Sequence, residues 1–133
     1  MREILFRGKR ADNGEWVYGD LVHSKTTSRG VITEIYSLEF TYEVLPETVC
    51  EYTGLTDKNG NKIFEGDICP DKENVYEIIF ERYQFSVKVI KTPLYLIKNG
   101  DTFPLWQFDN CERNGYRQLE IIGNIYDNPE LIK

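Results

Sequence analysis

The sequence predicts a mostly β protein, β-rich α+β at most, and three observations carry that expectation. No segment of the 133 residues shows an apolar stripe at helical spacing. Val, Ile, Thr, Tyr, Phe and Trp instead gather in short runs, the composition of pleated, half-buried strands. Asn-Gly pairs, lone glycines and prolines punctuate those runs where a chain must reverse.

Taken in order, residues 4–10 and 15–23 read as a hairpin closed by Asp12-Asn13-Gly14, because Asn and Gly accept the positive φ of a tight turn. Alternation puts Trp16 and Tyr18 on one side of the second strand and Val17 on the other. Residues 24–29 are small and polar and read as a flexible loop before a strand at 31–36. Residues 37–44 alternate apolar with polar and read as one half-buried strand that Pro46 ends. The stretch 47–53 fits either a strand or one helical turn. Asn59-Gly60 and Gly66 mark two reversals before a strand entered at Ile68. Strands at 75–80 and 85–90 follow, turning near Glu81-Arg82. A hairpin at 94–97 and 103–108 turns through 98–101, with Pro104 assigning its second strand to an edge. A last strand at 119–126, reached through Asn114-Gly115, precedes Asn128-Pro129-Glu130, which has the composition of a helix start.

At this length one hydrophobic core is the natural solution, so a single domain over 1–133 is expected, with an N-terminal strand region at 1–43 and the rest at 44–133. No apolar run is long enough to cross a membrane as a helix, and the apolar run near the N-terminus is too short for a signal-peptide core. The expected address is cytoplasmic. Cys50, Cys69 and Cys111 are odd in number and far apart, which suits reduced, buried thiols. A net charge of −6 disfavours nucleic acid and anionic lipid on average. The charge is uneven, since residues 2–10 are net basic and residues 47–73 net acidic.

Three blocks of the chain resemble the YopX family of small phage and prophage proteins. The first is Phe6-Arg7-Gly8-Lys9-Arg10 continuing to Gly14-Glu15-Trp16-Val17-Tyr18-Gly19. The second runs from Val44 through Pro46-Glu47-Thr48-Val49 to Tyr52-Thr53-Gly54-Leu55-Thr56-Asp57-Lys58-Asn59-Gly60 and Ile63-Phe64-Glu65-Gly66-Asp67-Ile68. The third is Leu119-Glu120-Ile121-Ile122-Gly123-Asn124-Ile125-Tyr126 with Asn128-Pro129-Glu130-Leu131. The resemblance implies a phage- or prophage-encoded protein acting inside a bacterial host, in a family without an established activity. It also implies an SH3-like barrel over 44–133, carrying the N-terminal hairpin as an extension. Cys69-Pro70 departs from the apolar strand residue more usual after Ile68 and implies a shortened or bulged strand there.

No residue pattern specifies catalysis. His23 is the lone histidine, without a glycine elbow around any serine or cysteine. His23, Cys50, Cys69 and Cys111 are spaced too widely for a zinc site, and no phosphate-binding glycine loop is present. No cofactor or metal is expected. Asp57, Asn59, Asn61 and Glu65 could offer oxygens to a hard cation, but they lack the EF-hand order, and turn-forming Asx chemistry accounts for them.

The strongest local signal is the interleaving of Arg7, Lys9 and Arg10 with Trp16 and Tyr18 on one hairpin. Such a surface fits a host or phage protein partner or a second copy of the chain, giving a non-enzymatic binding module. Its alternative use is single-stranded nucleic-acid binding, with rings for bases and cations for phosphates. Asp57, Glu65 and Asp67 form a second, acidic candidate surface, and the same three would serve a metal-dependent hydrolase, the least favoured reading.

Overall fold

The computed structural model describes residues 2–71, 74–93, 95–108 and 119–132. The chain is mostly β, as its alternation dictates, and divides into two compact units, Met1–Tyr52 and Thr53–Lys133.

In the first unit, strands β1 (Phe6–Lys9), β2 (Trp16–Thr26), β3 (Gly30–Ser37) and β4 (Phe40–Glu43) form an antiparallel meander. After a 3₁₀ turn at Pro46–Thr48, strand β5 (Cys50–Thr56) begins on the free side of β1, pairing Arg7 with Cys50 and Phe6 with Glu51. The sheet then almost closes on itself. Arg10 bridges Val44, the Ala11 amide donates to the Glu43 carbonyl at 2.9 Å, and the Leu45 amide donates to the Lys9 carbonyl at 2.8 Å. Ile35 and Val44 fill the closed side, 0% and 1% exposed, and each such side chain stabilises by about 1.5–3 kcal/mol. Gly19 is required by this packing, since a Cβ there would overlap the carbonyl of Tyr36.

The boundary at Tyr52 falls later than residue 44, because β4, the 3₁₀ turn and the first residues of β5 hydrogen-bond to β1 and β3. The polar stretch 24–29 is a loop only at residues 27–29, which make the turn. Strand β2 extends into it as far as Thr26, which pairs with Gly30, and the Thr26 hydroxyl accepts from the Arg29 amide and donates to the Gly30 carbonyl. Threonine and serine suit a strand that is half solvated on both faces. The single strand expected over 37–44 is broken at Leu38, whose φ of 58° reverses the chain so that Ser37 pairs with Phe40. A non-glycine residue in that region costs about 1 kcal/mol or more, so the apolar alternation gave no warning of it.

In the second unit, β6 (Lys62–Phe64) follows the Asn59-Gly60 turn, and the Thr53 hydroxyl donates to the Ile63 carbonyl at 2.8 Å. Strands β7 (Asp67–Asp71), β8 (Asn74–Glu81), β9 (Gln84–Lys91), β10 (Thr102–Pro104) and β11 (Gly123–Asn124) make an antiparallel sheet of order β10-β9-β8-β7-β11. Alternate residues of β8 and β9, Tyr76, Ile78, Val87 and Val89, build its core with Ile63, Cys69, Leu105 and Leu119.

Cys69-Pro70 does not shorten β7, which runs through both residues. The irregularity lies in the next ladder, where Val75 pairs with Lys91 and Tyr76 with Val89, leaving Ile90 of β9 as the extra residue. Strand β11 reaches only Ile68 and Asp67, so proline, lacking an N–H, sits beyond the doubly paired part of β7. Pro104 does lie in an edge strand. Residues 95–97 form a bend rather than a strand, with Tyr95 and Leu96 exposed, and 105–108 continue β10 as a 3₁₀ turn. The strand expected over 119–126 contracts to Gly123–Asn124, because the Asn124 carboxamide accepts from the Tyr126 and Asp127 amides and turns the chain. Pro129 opens a 3₁₀ turn to Ile132. Leu94, Cys111 and the Asn114-Gly115 turn lie outside the described residues.

Candidate functional site

Register decides which of the hairpin residues meet. Arg7 pairs with Tyr18 and Lys9 with Trp16, so the alternation of both strands brings all four to one face. The Arg7 guanidinium lies 4.6 Å from the Trp16 ring centre and the Lys9 ammonium 5.5 Å from it. Arg7 is only 6% exposed, and such desolvated cation–π contacts are worth about 2 kcal/mol. Its charge is therefore committed to the hairpin's own indole.

Arg10 does not join this face. It stacks 4.6 Å from the Tyr42 ring centre and grips Asp12 with two hydrogen bonds, at 2.9 and 2.7 Å. The hydrogen bond with Asp12 raises the arginine pKa further and lowers that of the aspartate. Arg29 holds Glu43 in the same way, and its hydrogen bond lowers the glutamate pKa. A cavity of about 270 Å³ between Arg10, Asp12, Thr41, Tyr42 and Glu43 is consequently lined by charges already matched in sign.

What the face leaves open is aromatic. Tyr18 is 46% exposed and Tyr36 is 45% exposed. Asp20 pairs with Tyr36, and Tyr18 precedes Asp20 by two residues on the same strand, so the two rings occupy diagonal positions on one face. Sequence reasoning missed Tyr36, because alternation alone does not tell an exposed face of β3 from a covered one.

The acidic candidates separate by burial. Asp57 is 1% exposed and Asp67 2%, so neither belongs to an acidic surface. Asp57 Oδ1 accepts from the Asn59 and Asn61 amides at 2.9 and 2.8 Å, and its Oδ2 accepts from the Ile121 amide at 3.1 Å. Burial on its own would raise this pKa, but the Ile121, Asn61 and Asn59 N–H groups outweigh it and hold the carboxyl below its usual range. Asp67 Oδ2 accepts from the Phe64 amide at 2.8 Å, closing the turn in which Gly66 takes a φ of 89°. Glu65 alone of the three keeps partial exposure.

Among the described residues no group of three or more His, Cys, Asp or Glu side chains is placed to hold a metal ion. His23 is exposed opposite Thr33. Burial, with the nearby charges of Asp67 and Asp57, pushes the Cys69 thiol far above its ordinary pKa, so it is a poor nucleophile. The Cys50 thiol is buried and donates to the Thr48 carbonyl at 3.2 Å. In the second unit, Glu77 and Lys88 face one another across β8 and β9 beside an open depression of about 430 Å³ that reaches Asn99 and Gly100. No helix among the described residues is long and apolar enough to cross a membrane.

A family model described as YopX protein matches residues 5–133. The crystal structure of protein EF1440 from Enterococcus faecalis superimposes with a TM-score of 0.54 at 23% identity, covering 100% of each chain, and so shares the fold. No curated protein matches the chain.

Proposed function

The chain belongs to the YopX protein family, and from that premise we propose that it is a phage- or prophage-encoded accessory protein working in the bacterial cytoplasm as a non-enzymatic protein-binding module. One observation carries the reading, namely the pair of half-exposed tyrosines, Tyr18 and Tyr36, on a stiff sheet face backed by the Arg7–Trp16–Lys9 stack. Tyrosine on a rigid support is a favoured interface anchor, since it adds contact area at little entropic cost. The N-terminal contact set thus centres on Tyr18, Tyr36 and the edge of Trp16, with Arg7, Lys9 and Arg10 supporting it.

Binding of single-stranded nucleic acid is the weaker use of this face, because Arg7 is occupied by an indole and Arg10 by a carboxylate. We read the second unit as an SH3-like barrel. The support is its β7-β8-β9-β10 meander, followed by a 3₁₀ turn and a short return strand on β7.

The test compares the tagged full chain with its Tyr18→Ala/Tyr36→Ala variant, using bacterial lysate split into nuclease-treated and untreated halves. A protein captured from both halves by the parent and lost with the variant, at a Tm changed by less than about 4 °C, is the expected outcome. Equal capture by the two forms, or capture that disappears on nuclease treatment, refutes the reading.

A further inference from the structure

The β8–β9 hairpin ends in a two-residue turn, Arg82-Tyr83, between Glu81 and Gln84, which pair with each other. Both central residues have positive φ, 49° and 65°, the geometry that tight hairpins ordinarily give to Asn-Gly. Tyr83 is 97% exposed, and among the described residues neither Arg82 nor Tyr83 makes a side-chain hydrogen bond or ion pair. The neighbouring acid, Glu81, is engaged by the Thr102 hydroxyl at 3.2 Å. Behind the turn, Phe80 and Phe85 pack edge to face with ring centres 5.1 Å apart, and Phe80 remains 50% exposed. Among the described residues the tip is therefore a finger carrying one cation in no ion pair and two open rings.

We infer that the Arg82-Tyr83 tip, with Phe80 beside it, is a docking finger for a protein partner that offers an apolar cleft rimmed by carboxylates. Arginine and tyrosine are residue types that dominate interface energies, and strain concentrates at sites whose conformation is set for a ligand. Charge complementarity selects the carboxylate rim, because among the described residues Arg82 is exposed and in no ion pair. A single cation on a chain of net charge −6 is no groove for a phosphate backbone, which is why the occupant is a protein segment. This surface lies in the second unit and does not depend on the tyrosine pair of the first.

The test replaces the tip by the residues its geometry prefers, R82N/Y83G, in the full chain. Relief of the strained turn raises Tm by roughly 4 °C or more, so loss of fold cannot imitate loss of binding. A displayed library of random short peptides is selected on the parent protein, and the selected peptides are resynthesised and titrated against both forms. Peptides that join Asp or Glu to apolar residues, and that bind the variant at least about tenfold more weakly, are expected. A lowered Tm, a selection that yields no peptide, peptides without acidic residues, or equal binding to both forms overturns the assignment. A fluorescent oligothymidylate that binds the parent and not the variant also overturns it, in favour of nucleic acid.

Discussion

Removing the Asp57 carboxylate is expected to destabilise the second unit in a pH-dependent way. The group is buried, and three backbone N–H groups, from Asn59, Asn61 and Ile121, point at it. Hydrogen bonds to a charged acceptor carry about 1.5–3 kcal/mol each. Asn59 and Asn61 lie on an exposed turn where their amides can find water again, whereas the Ile121 amide is part-buried and tied to the turn across the fold. Asp57→Ala should therefore cost about 3–5 kcal/mol, less than the simple sum of three bonds. Asp57→Asn, which keeps the shape and one acceptor oxygen, should cost about 2 kcal/mol.

The pH dependence follows from the depressed pKa. Because the folded state holds Asp57 ionised to lower pH than the unfolded chain does, its contribution is complete above about pH 4, the ordinary aspartate value. It is lost as the pH falls through the lower folded value. Urea unfolding by circular dichroism, together with hydrogen exchange at the Ile121 amide, measures the effect. The gap between the parent and Asp57→Asn should be full at pH 7 and shrink in acid, since asparagine mimics the protonated carboxyl. A gap below about 0.5 kcal/mol at pH 7, or one that does not shrink, would refute the reasoning.

Two further outcomes are expected. Gly19→Ala should abolish the β2–β3 register or lower stability by more than about 3 kcal/mol, because the added methyl meets backbone rather than a movable side chain; thermal melts check it. Glu77→Gln should raise Tm at pH 7, since burial, with Glu65 nearby, raises the Glu77 pKa against the opposing pull of Lys88. A raised carboxyl favours the fold most below its unfolded pKa and loses that contribution as pH rises through the folded value. The gain should therefore vanish below about pH 4, near the ordinary carboxylate range, and a gain independent of pH would contradict the cause given.

The strands were readable wherever one face is buried and the other wet. The β8 and β9 alternation put Ile78, Val87 and Val89 inward, and Asn13-Gly14 and Asn59-Gly60 marked real reversals. Reversals made by residues that do not prefer them, at Leu38 and Arg82-Tyr83, were invisible to turn chemistry. Polar strand ends were also hidden, because β2 carries Ser24 and Thr26 into the stretch that composition assigns to a loop. For the site, the clustering of Arg7, Lys9, Trp16 and Tyr18 was readable from strand period. The burial of Arg7 was not, since it depends on an indole lying diagonally across the ladder. Asp57 and Asp67 misled for the same reason, because a carboxylate consumed by backbone amides looks in sequence like one facing water.

The return of residues 43–45 onto residues 9–11 has a consequence for how the protein is made. Strand β1 leaves the ribosome before the rest of its sheet, yet two of its partners, Leu45 and Cys50, are synthesised long after it. The β1–β2 and β2–β3 hairpins can zip locally during translation, but the ring of the first unit stays open until residue 51 is clear of the exit tunnel. Throughout that interval the inner face around Ile35 is exposed to chaperones and to other nascent chains. Synonymous changes that slow translation only once residue 51 has cleared the tunnel should favour soluble yield, and pauses before that point should reduce it.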